Sequence, residues 1–220
     1  MCAACIIELG SWLGRSGEYF ARSAPNAVIF AVDLWDNDVI LADKHYCSNP
    51  ENLAILNVGP LHDRFMSNMW EYKYSIKNGT ARGIVPVHMD AIEGLELLKN
   101  AGVKPDLVYV DASHHYDGVY RDIKKTLELF PGAHIVGDDY DYPDVRRAVQ
   151  DCAKESNLEI FESGNKCWTY SREHCLHQRS KRKREEEQEE ESAAKAKVTQ
   201  RLPEGKRSLK DMLKQYKKKG

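Results

Sequence analysis

The stretch Glu8-Leu9-Gly10-Ser11-Trp12-Leu13-Gly14-Arg15-Ser16 decides the fold of this 220-residue chain. It begins inside a short apolar run that reads as a strand, and it leads into a segment of helical pattern. Gly10 and Gly14 favour a tight turn between the two, because glycine has no Cβ and lets a ligand approach the backbone. Ser16 is placed to cap the helix. Glu8 is unexpected inside a buried strand and would suit a cationic group, so the stretch indicates a cradle for a nucleoside ligand.

Short apolar runs rich in β-branched residues alternate with longer helical patterns along residues 5–170. This alternation predicts a parallel sheet with right-handed crossovers, which is a doubly wound α/β fold. Strands are predicted at 5–9, 28–32, 84–88, 107–110 and 135–136, and a closing hairpin at 158–161 and 166–170. Helices are predicted at 16–24, 91–100, 117–130 and 144–155, with a pair inside 50–78. The hairpin makes the last strand antiparallel to the others.

The charge divides the chain into two parts. Residues 1–170 contain 16 Lys and Arg against 25 Asp and Glu, a balance of −9, whereas residues 171–220 contain 16 against 9, a balance of +7. We therefore predict a globular domain at 1–171 and a charged tail at 172–220, largely disordered or helical. The tail holds the basic block Lys181-Arg182-Lys183-Arg184, followed by six glutamates within 185–191. Its last helical pattern carries one apolar stripe, formed by Leu209, Met212, Leu213 and Tyr216.

The tail is a candidate contact for nucleic acid or a protein, and the alternative is a helix that folds back on its own domain.

No apolar run approaches the roughly 20 residues that a bilayer crossing requires, and the chain start lacks the pattern of a secretory signal. We expect a cytoplasmic protein without membrane contact, with the nucleus as the alternative because of the basic block 181–184. Six cysteines without a framework spacing predict reduced thiols.

Acidic residues follow two further predicted strands. In open α/β sheets, ligands bind outside the carboxyl ends of the strands. Asp33 ends the second strand and can accept hydrogen bonds from a ribose diol, and Asp90 follows the third and can reach an adenine edge. Each residue alone is an ordinary turn residue, but three polar positions at successive strand ends favour a nucleoside site. Trp12 stands where a dinucleotide motif requires its second glycine, so NAD is disfavoured.

A second stretch, Val110-Asp111-Ala112-Ser113-His114-His115, reads as a carboxylate–histidine site at the end of the fourth strand. The fifth strand ends similarly, in Val136-Gly137-Asp138-Asp139. Carboxylates at adjacent strand ends repel each other, and a hard cation with oxygen ligands relieves this repulsion. The two stretches together suggest a site that can bind a metal and remove a proton.

These motifs resemble the class I S-adenosylmethionine-dependent methyltransferases over about residues 5–170. The first family motif is an acid-x-Gly-x-x-x-Gly turn, matched by Glu8, Gly10 and Gly14, and the second is the acid at Asp33. The resemblance implies a mostly parallel, seven-stranded, Rossmann-like sheet with a C-terminal antiparallel hairpin. It implies S-adenosylmethionine as cofactor, with contacts from Glu8, Gly10, Ser11, Trp12, Gly14, Ser16, Asp33 and Asp90.

Asp90-Ala91 and the two acidic stretches are similar to the metal-dependent small-molecule O-methyltransferases of the catechol and macrolide-sugar types. This similarity implies Mg²⁺ or another divalent cation held by Asp111, Asp138 and Asp139, with His114 as the base in preference to His115. The expected reaction is methylation of a small-molecule hydroxyl. The alternatives are metal-independent methylation of nitrogen or carboxylate, and a degenerate cofactor-binding scaffold that acts through its basic tail.

Relatives of this type often cover the substrate with a helical segment before the first strand. Here Met1 lies only a few residues before that strand. We expect one of three explanations: the sequence is an incomplete gene model, a homodimer covers the substrate, or residues 34–82 cover it. Phe65, Met69, Trp70 and Tyr74 follow helical spacing in this region, and the spacing favours a core position for them over a lid.

Overall fold

A computed structural model describes residues 4–42, 46–164 and 166–170. The predicted tail at 172–220 and its apolar stripe lie outside the described residues. The strands are β1 (Cys5–Leu9), β2 (Val28–Asp33), β3 (Ser75–Lys77), β4 (Thr80–His88), β5 (Leu107–Val110), β6 (His134–Gly137), β7 (Ile160–Ser163) and β8 (Cys167–Tyr170). The helices are α1 (Arg15–Ser23), α2 (Asn37–Ala42), α3 (Pro50–Leu56), α4 (Leu61–Asn68), α5 (Ala91–Asn100), α6 (Tyr116–Leu129) and α7 (Pro143–Ser156), with 3-10 turns at Tyr46–Ser48 and Trp70–Tyr72.

The described strands form one sheet in the order β3-β4-β2-β1-β5-β6-β8-β7. β4, β2, β1, β5 and β6 are parallel, and β8 runs antiparallel to both β6 and β7. The doubly wound fold and its closing antiparallel hairpin are therefore confirmed. The sheet has eight strands where seven were predicted, because the short β3 pairs antiparallel with the start of β4.

Alternate residues of the central strands enter two separate cores. In β1, Ile7 and Leu9 belong to a core shared with α5, α6 and α7, whereas Ile6 belongs to a second core with α3 and α4. This alternation follows from the pleat of a strand, which directs successive side chains to opposite faces. Burial of each such aliphatic side chain contributes roughly 1.5–3 kcal/mol. The sheet is thus covered on both faces, as the continuous apolar runs predict.

The order of the strands sets the position of the site. The chain passes from β1 to β2 on one side and later returns to β5 on the other side of β1. The loops after β1 and β5 therefore diverge from neighbouring strand ends, which is where ligands of open α/β sheets bind. No helix in the described part of the chain is long and apolar enough to cross a membrane.

The segment between β2 and β4 packs only partly as predicted. Phe65 and Met69 are buried in the second core, in agreement with the helical spacing. Trp70 is 62% exposed and Tyr74 is 46% exposed, so the core prediction is wrong for these two residues. The reason is that α4 ends at Asn68, and the helical spacing does not continue to Tyr74.

Candidate functional site

The loop after β1 is tightly packed against its neighbours. Gly10 has φ +85°, and a Cβ at this position would overlap the backbone carbonyl of Asp111. Gly14 has φ +91°, and a Cβ there would lie 2.7 Å from the side chain of Met69. Both glycines are therefore required by the fold itself, in addition to any role in admitting a ligand. The contact at Gly10 also joins this loop directly to the end of β5.

Ser16 does not cap α1, contrary to the sequence prediction. The helix begins at Arg15, its cap residue is Gly14, and no side chain caps its first turn. Ser16 lies one position inside the helix, where its hydroxyl favours ionisation of Glu8. The cap residue is displaced because the left-handed backbone of Gly14 ends the turn two residues earlier than predicted.

Glu8 is fully buried within β1. Its Oε2 accepts a hydrogen bond of 2.6 Å from the Ser11 hydroxyl, whereas its Oε1 has no hydrogen-bond partner among the described residues. Burial raises the pKa of Glu8, and the hydroxyls of Ser11 and Ser16 oppose this rise. A buried carboxylate oxygen without a partner costs free energy, and a cationic donor would remove that cost.

Asp33 connects the loops that follow β1 and β2. Its Oδ2 accepts a hydrogen bond of 2.8 Å from the Trp12 backbone N–H, and its Oδ1 accepts one of 2.7 Å from the Trp35 N–H. Burial raises the pKa of Asp33, and these N–H groups oppose the rise. A carboxylate offers about four acceptor positions, so capacity for a ribose hydroxyl remains.

Asp90 has a structural role that the sequence did not predict. It is the cap residue of α5, where its Oδ1 accepts a 2.9 Å hydrogen bond from the Ile92 N–H. Its Oδ2 pairs with Arg121 at 3.3 Å. Asp90 also lines an open cleft of about 650 Å³ together with Trp35 and His88, at the carboxyl ends of β2 and β4. Asp33 and Asp90 thus lie at the two strand ends that border this cleft.

Asp111, His114 and Asp139 converge at the ends of β5 and β6. Each offers one ligand atom, and these three atoms lie within 4.8 Å of one another. His114 Nε2 lies 2.8 Å from Asp139 Oδ2, and each side chain is about a quarter exposed. Burial, followed by the charges of Asp139 and Asp138, raises the pKa of Asp111 to about 8. The group therefore combines strong repulsion between carboxylates with an imidazole that can share a proton or a cation.

Asp138 is not part of this group of three. Its Oδ2 accepts a hydrogen bond of 3.3 Å from the Tyr109 hydroxyl, and its Oδ1 accepts one from the Asp139 backbone N–H. Asp139 has φ +60°, a left-handed conformation, and its own carboxylate lies against His114. The structure thus separates the two neighbouring aspartates, which the sequence treats as one pair.

Tyr142 and Trp35 are two candidate site residues that the sequence reasoning missed. The Tyr142 ring stacks on His114, with a centroid separation of 5.2 Å and an interplanar angle of 20°. Trp35 is buried beside the cleft. The only sequence signal for either residue is its position within three residues of a predicted site acid. His115, by contrast, is exposed and stands at the cap position of α6.

A doubly wound sheet with a glycine turn after β1 and an acid after β2 is characteristic of the class I S-adenosylmethionine-dependent methyltransferases. The sequence profile of the family described as "Methyltransferase domain" matches residues 7–140. The chain belongs to this methyltransferase family. The predicted enzyme class and the S-adenosylmethionine cofactor are thereby confirmed.

Several solved structures are similar to this chain at low sequence identity. An Aeropyrum pernix fibrillarin with bound S-adenosyl-L-methionine is similar at 13% identity and a TM-score of 0.48, covering 77% of this chain and 66% of its own. A TDP-rhamnose 3'-O-methyltransferase of calicheamicin biosynthesis has 15% identity and a TM-score of 0.48, covering 76% and 71%. A putative caffeoyl-CoA O-methyltransferase from Staphylococcus aureus has 13% identity and a TM-score of 0.48, covering 76% of both chains. No curated protein sequence matches the chain.

Proposed function

We propose that this protein transfers the methyl group of S-adenosylmethionine to a hydroxyl of a small molecule, with assistance from a divalent cation. One observation carries the proposal: Asp111, His114 and Asp139 bring their ligand atoms within 4.8 Å of one another. This group adjoins the loop after β1, because Gly10 packs directly on Asp111. An acid–histidine group next to a cofactor loop suits the deprotonation of an acceptor beside the methyl donor.

The proposed cofactor site extends from β1 to the cleft beside β4. Glu8 would receive the α-ammonium of the cofactor, and this assignment is supported by its buried Oε1 without a partner. The backbone of Gly10, Ser11, Trp12 and Gly14, with Ser16 behind it, would surround the methionine part. Asp33 would accept the ribose hydroxyls and Asp90 would face the adenine, because both acids lie where β2 and β4 end at the cleft.

The donor set fits a divalent cation. Asp111 and Asp139 supply carboxylate oxygens, which Mg²⁺ and Mn²⁺ prefer. When bound, such a cation would lower the pKa of a coordinated acceptor hydroxyl. Asp138 is the weaker candidate ligand, since its carboxylate faces Tyr109. We therefore propose Asp111 and Asp139 as ligands and assign Asp138 a supporting role.

His114 is the proposed general base. The Asp139 carboxylate, 2.8 Å from Nε2, orients the imidazole and stabilises the positive charge that develops when His114 accepts a proton. Tyr142 stacks on the ring and restricts its rotation. Asp111 lies on the side of the cofactor loop, where its ionised form would repel an anionic acceptor and a cation would offset that repulsion.

Two titrations test the proposal. Calorimetry with S-adenosylmethionine should show binding to the purified chain, and a second titration should show Mg²⁺ or Mn²⁺ binding with one site. Methyl transfer from labelled S-adenosylmethionine to a panel of catechols, sugars and other hydroxyl compounds should then require the cation. Binding of the cofactor with full turnover in excess EDTA would remove the cation from the proposal and retain the methyltransferase.

A metal-independent methyltransferase is the second candidate. The His114–Asp139 contact of 2.8 Å favours it, because such a pair can act as a general base by itself. This second candidate predicts that the wild-type chain turns over in EDTA and that H114Q does not. Acceptors with a nitrogen or a carboxylate would then be tested first. A scaffold without activity would bind no S-adenosylmethionine.

A further inference from the structure

We infer that Trp12 and Trp35 are positioning residues that hold the loop after β1 in the conformation that binds the cofactor. We call the contact between them, through Asp33, the tryptophan clasp. The inference rests on the proposed cofactor site. It assigns to Trp35, which lies outside the glycine loop, a role in setting the geometry of that loop.

Both tryptophans adopt a backbone conformation that large side chains rarely take. Trp12 has φ +46° and Trp35 has φ +41°, in the left-handed region. Glycine enters this region freely, whereas a bulky residue does so only when the surrounding structure compensates. The position of Trp12 between Gly10 and Gly14 therefore needs an explanation in the contacts around it.

Three hydrogen bonds supply this compensation. The Trp12 N–H donates to Asp33 Oδ2 at 2.8 Å, and the Trp35 N–H donates to Asp33 Oδ1 at 2.7 Å. The Trp35 indole Nε1–H then donates to the Trp12 backbone carbonyl at 2.7 Å. The N–H and the C=O of Trp12 are thus both bound by residues of the neighbouring loop, which fixes the peptide planes on both sides of its Cα.

The Trp35 ring is itself held firmly. It is 4% exposed and lies against Phe65 of α4 with a centroid separation of 4.5 Å. His62 and His88 pack against it at 5.1 and 5.7 Å in edge arrangements. Because the ring is anchored on α4 and β4, the indole N–H is a fixed donor. The geometry at position 12 therefore depends on a side chain 23 residues further along the chain.

The double-mutant cycle of W35F and W12G tests the clasp. W35F keeps an aromatic ring against Phe65 but removes the indole donor, and we expect the Kd for S-adenosylmethionine to rise about tenfold. Glycine adopts the left-handed conformation at position 12 without strain. The loss of the indole hydrogen bond should therefore raise the Kd less when residue 12 is glycine. The double variant W12G/W35F should accordingly bind within about threefold of W12G alone, which is a strongly non-additive result.

W70F is the matched control, because Trp70 is 62% exposed and contacts Lys73 away from the cleft. Its Kd should equal that of the wild type. Amide hydrogen exchange at residues 10–14 should be faster in W35F and normal in W70F. If W35F loses its fold instead, W12G should restore its melting temperature, and failure to do so overturns the clasp.

The outcomes distinguish a failure of the proposed cofactor site from a failure of the tryptophan clasp. A wild-type chain that binds no S-adenosylmethionine overturns the proposed cofactor site. Wild-type binding with an unchanged Kd in W35F, or with additive effects in the double variant, overturns the clasp and leaves the proposed function standing.

Discussion

At the scale of single residues, Asp111 has the most unusual environment in the proposed site. Its carboxyl is half-buried near two other aspartates, and its pKa is raised to about 8. A cation that occupies the group would favour the ionised form and lower that pKa. We expect D111N to reduce cation affinity and turnover by at least about 100-fold, with the Kd for S-adenosylmethionine changed less than about threefold. Calorimetry and initial rates measure both.

Two other aspartates provide controls for D111N. D138N should retain cation binding within about threefold, because Asp138 is directed at Tyr109. D141N should retain both binding and turnover, since Asp141 is exposed and pairs with Lys166 at 2.7 Å. Loss of cation binding in D138N as well as in D111N would restore the ligand set that the sequence implied and contradict the one proposed from the structure.

His114 should separate proton transfer from cation binding. As a base it can be replaced by glutamine with the cation site intact, so H114Q should lose at least about 100-fold in kcat while the cation Kd changes less than about threefold. Cation titrations and rates on the same preparation measure this. Parallel loss of both would make His114 a ligand instead of the base.

The residue scale also shows what the sequence can and cannot reveal. Asp111 and His114 are three positions apart on one loop, and strand order places Asp139 beside them, so their meeting is predictable. The different partners of Asp138 and Asp139 are not predictable, because Tyr109 and His114 reach these carboxylates only in the folded sheet. Trp35 was missed for a similar reason, since its contact with Trp12 exists only after the two loops fold together.

At the scale of elements, the turn from β1 to α1 depends on Gly10. A methyl group there would meet the Asp111 carbonyl, and φ is +85°. G10A should therefore lower the free energy of unfolding by about 2 kcal/mol or more, because the left-handed backbone and the overlap both oppose alanine. Denaturant titration measures the change. G102A is a suitable control for backbone strain alone. The φ of Gly102 is also positive, but a Cβ added there would meet no neighbouring atom within 4 Å.

Helix α6 carries a buried acid whose protonation links stability to pH. The Asp122 side chain is 1% exposed, and burial raises its pKa from 3.8 to about 6. Between about pH 4 and pH 6 the folded chain retains a proton that the unfolded chain releases, so this group lowers stability as pH rises through that window. D122N lacks the effect. The melting temperature of D122N minus that of the wild type should increase by about 3 °C or more from pH 4.5 to pH 7.5; a constant difference would contradict the assignment.

The elements that the sequence missed are those without a periodic pattern. β3 has three residues, all exposed, and α2 has six residues, none of them buried, so both are too short to show a periodic apolar pattern. The parallel strands, by contrast, are short apolar runs bounded by turns, and their positions agree closely with the prediction. Tertiary pairing with β4 creates β3, and this pairing cannot be inferred from three residues alone.

At the scale of the whole molecule, the opposite charges of the two parts of the chain carry the last prediction. Residues 1–170 have a balance of −9 and residues 171–220 of +7, and all proposed site residues lie within 1–170. We propose that the tail binds nucleic acid through its basic residues. A chain that ends at residue 177 should keep its Kd for S-adenosylmethionine within about threefold, because every residue of the proposed site precedes the tail in the sequence.

The same truncation should weaken binding to a fluorescent 20-base-pair RNA duplex by at least about tenfold at 50 mM salt. The full chain should also lose affinity steeply between 50 and 200 mM, because neutralised phosphates release counterions. A full-length variant with the six glutamates of 185–191 replaced by glutamine keeps the tail length and should bind the duplex more tightly. Equal anisotropy curves for the full and truncated chains would contradict nucleic-acid binding, and they would leave a protein partner as the target of the tail.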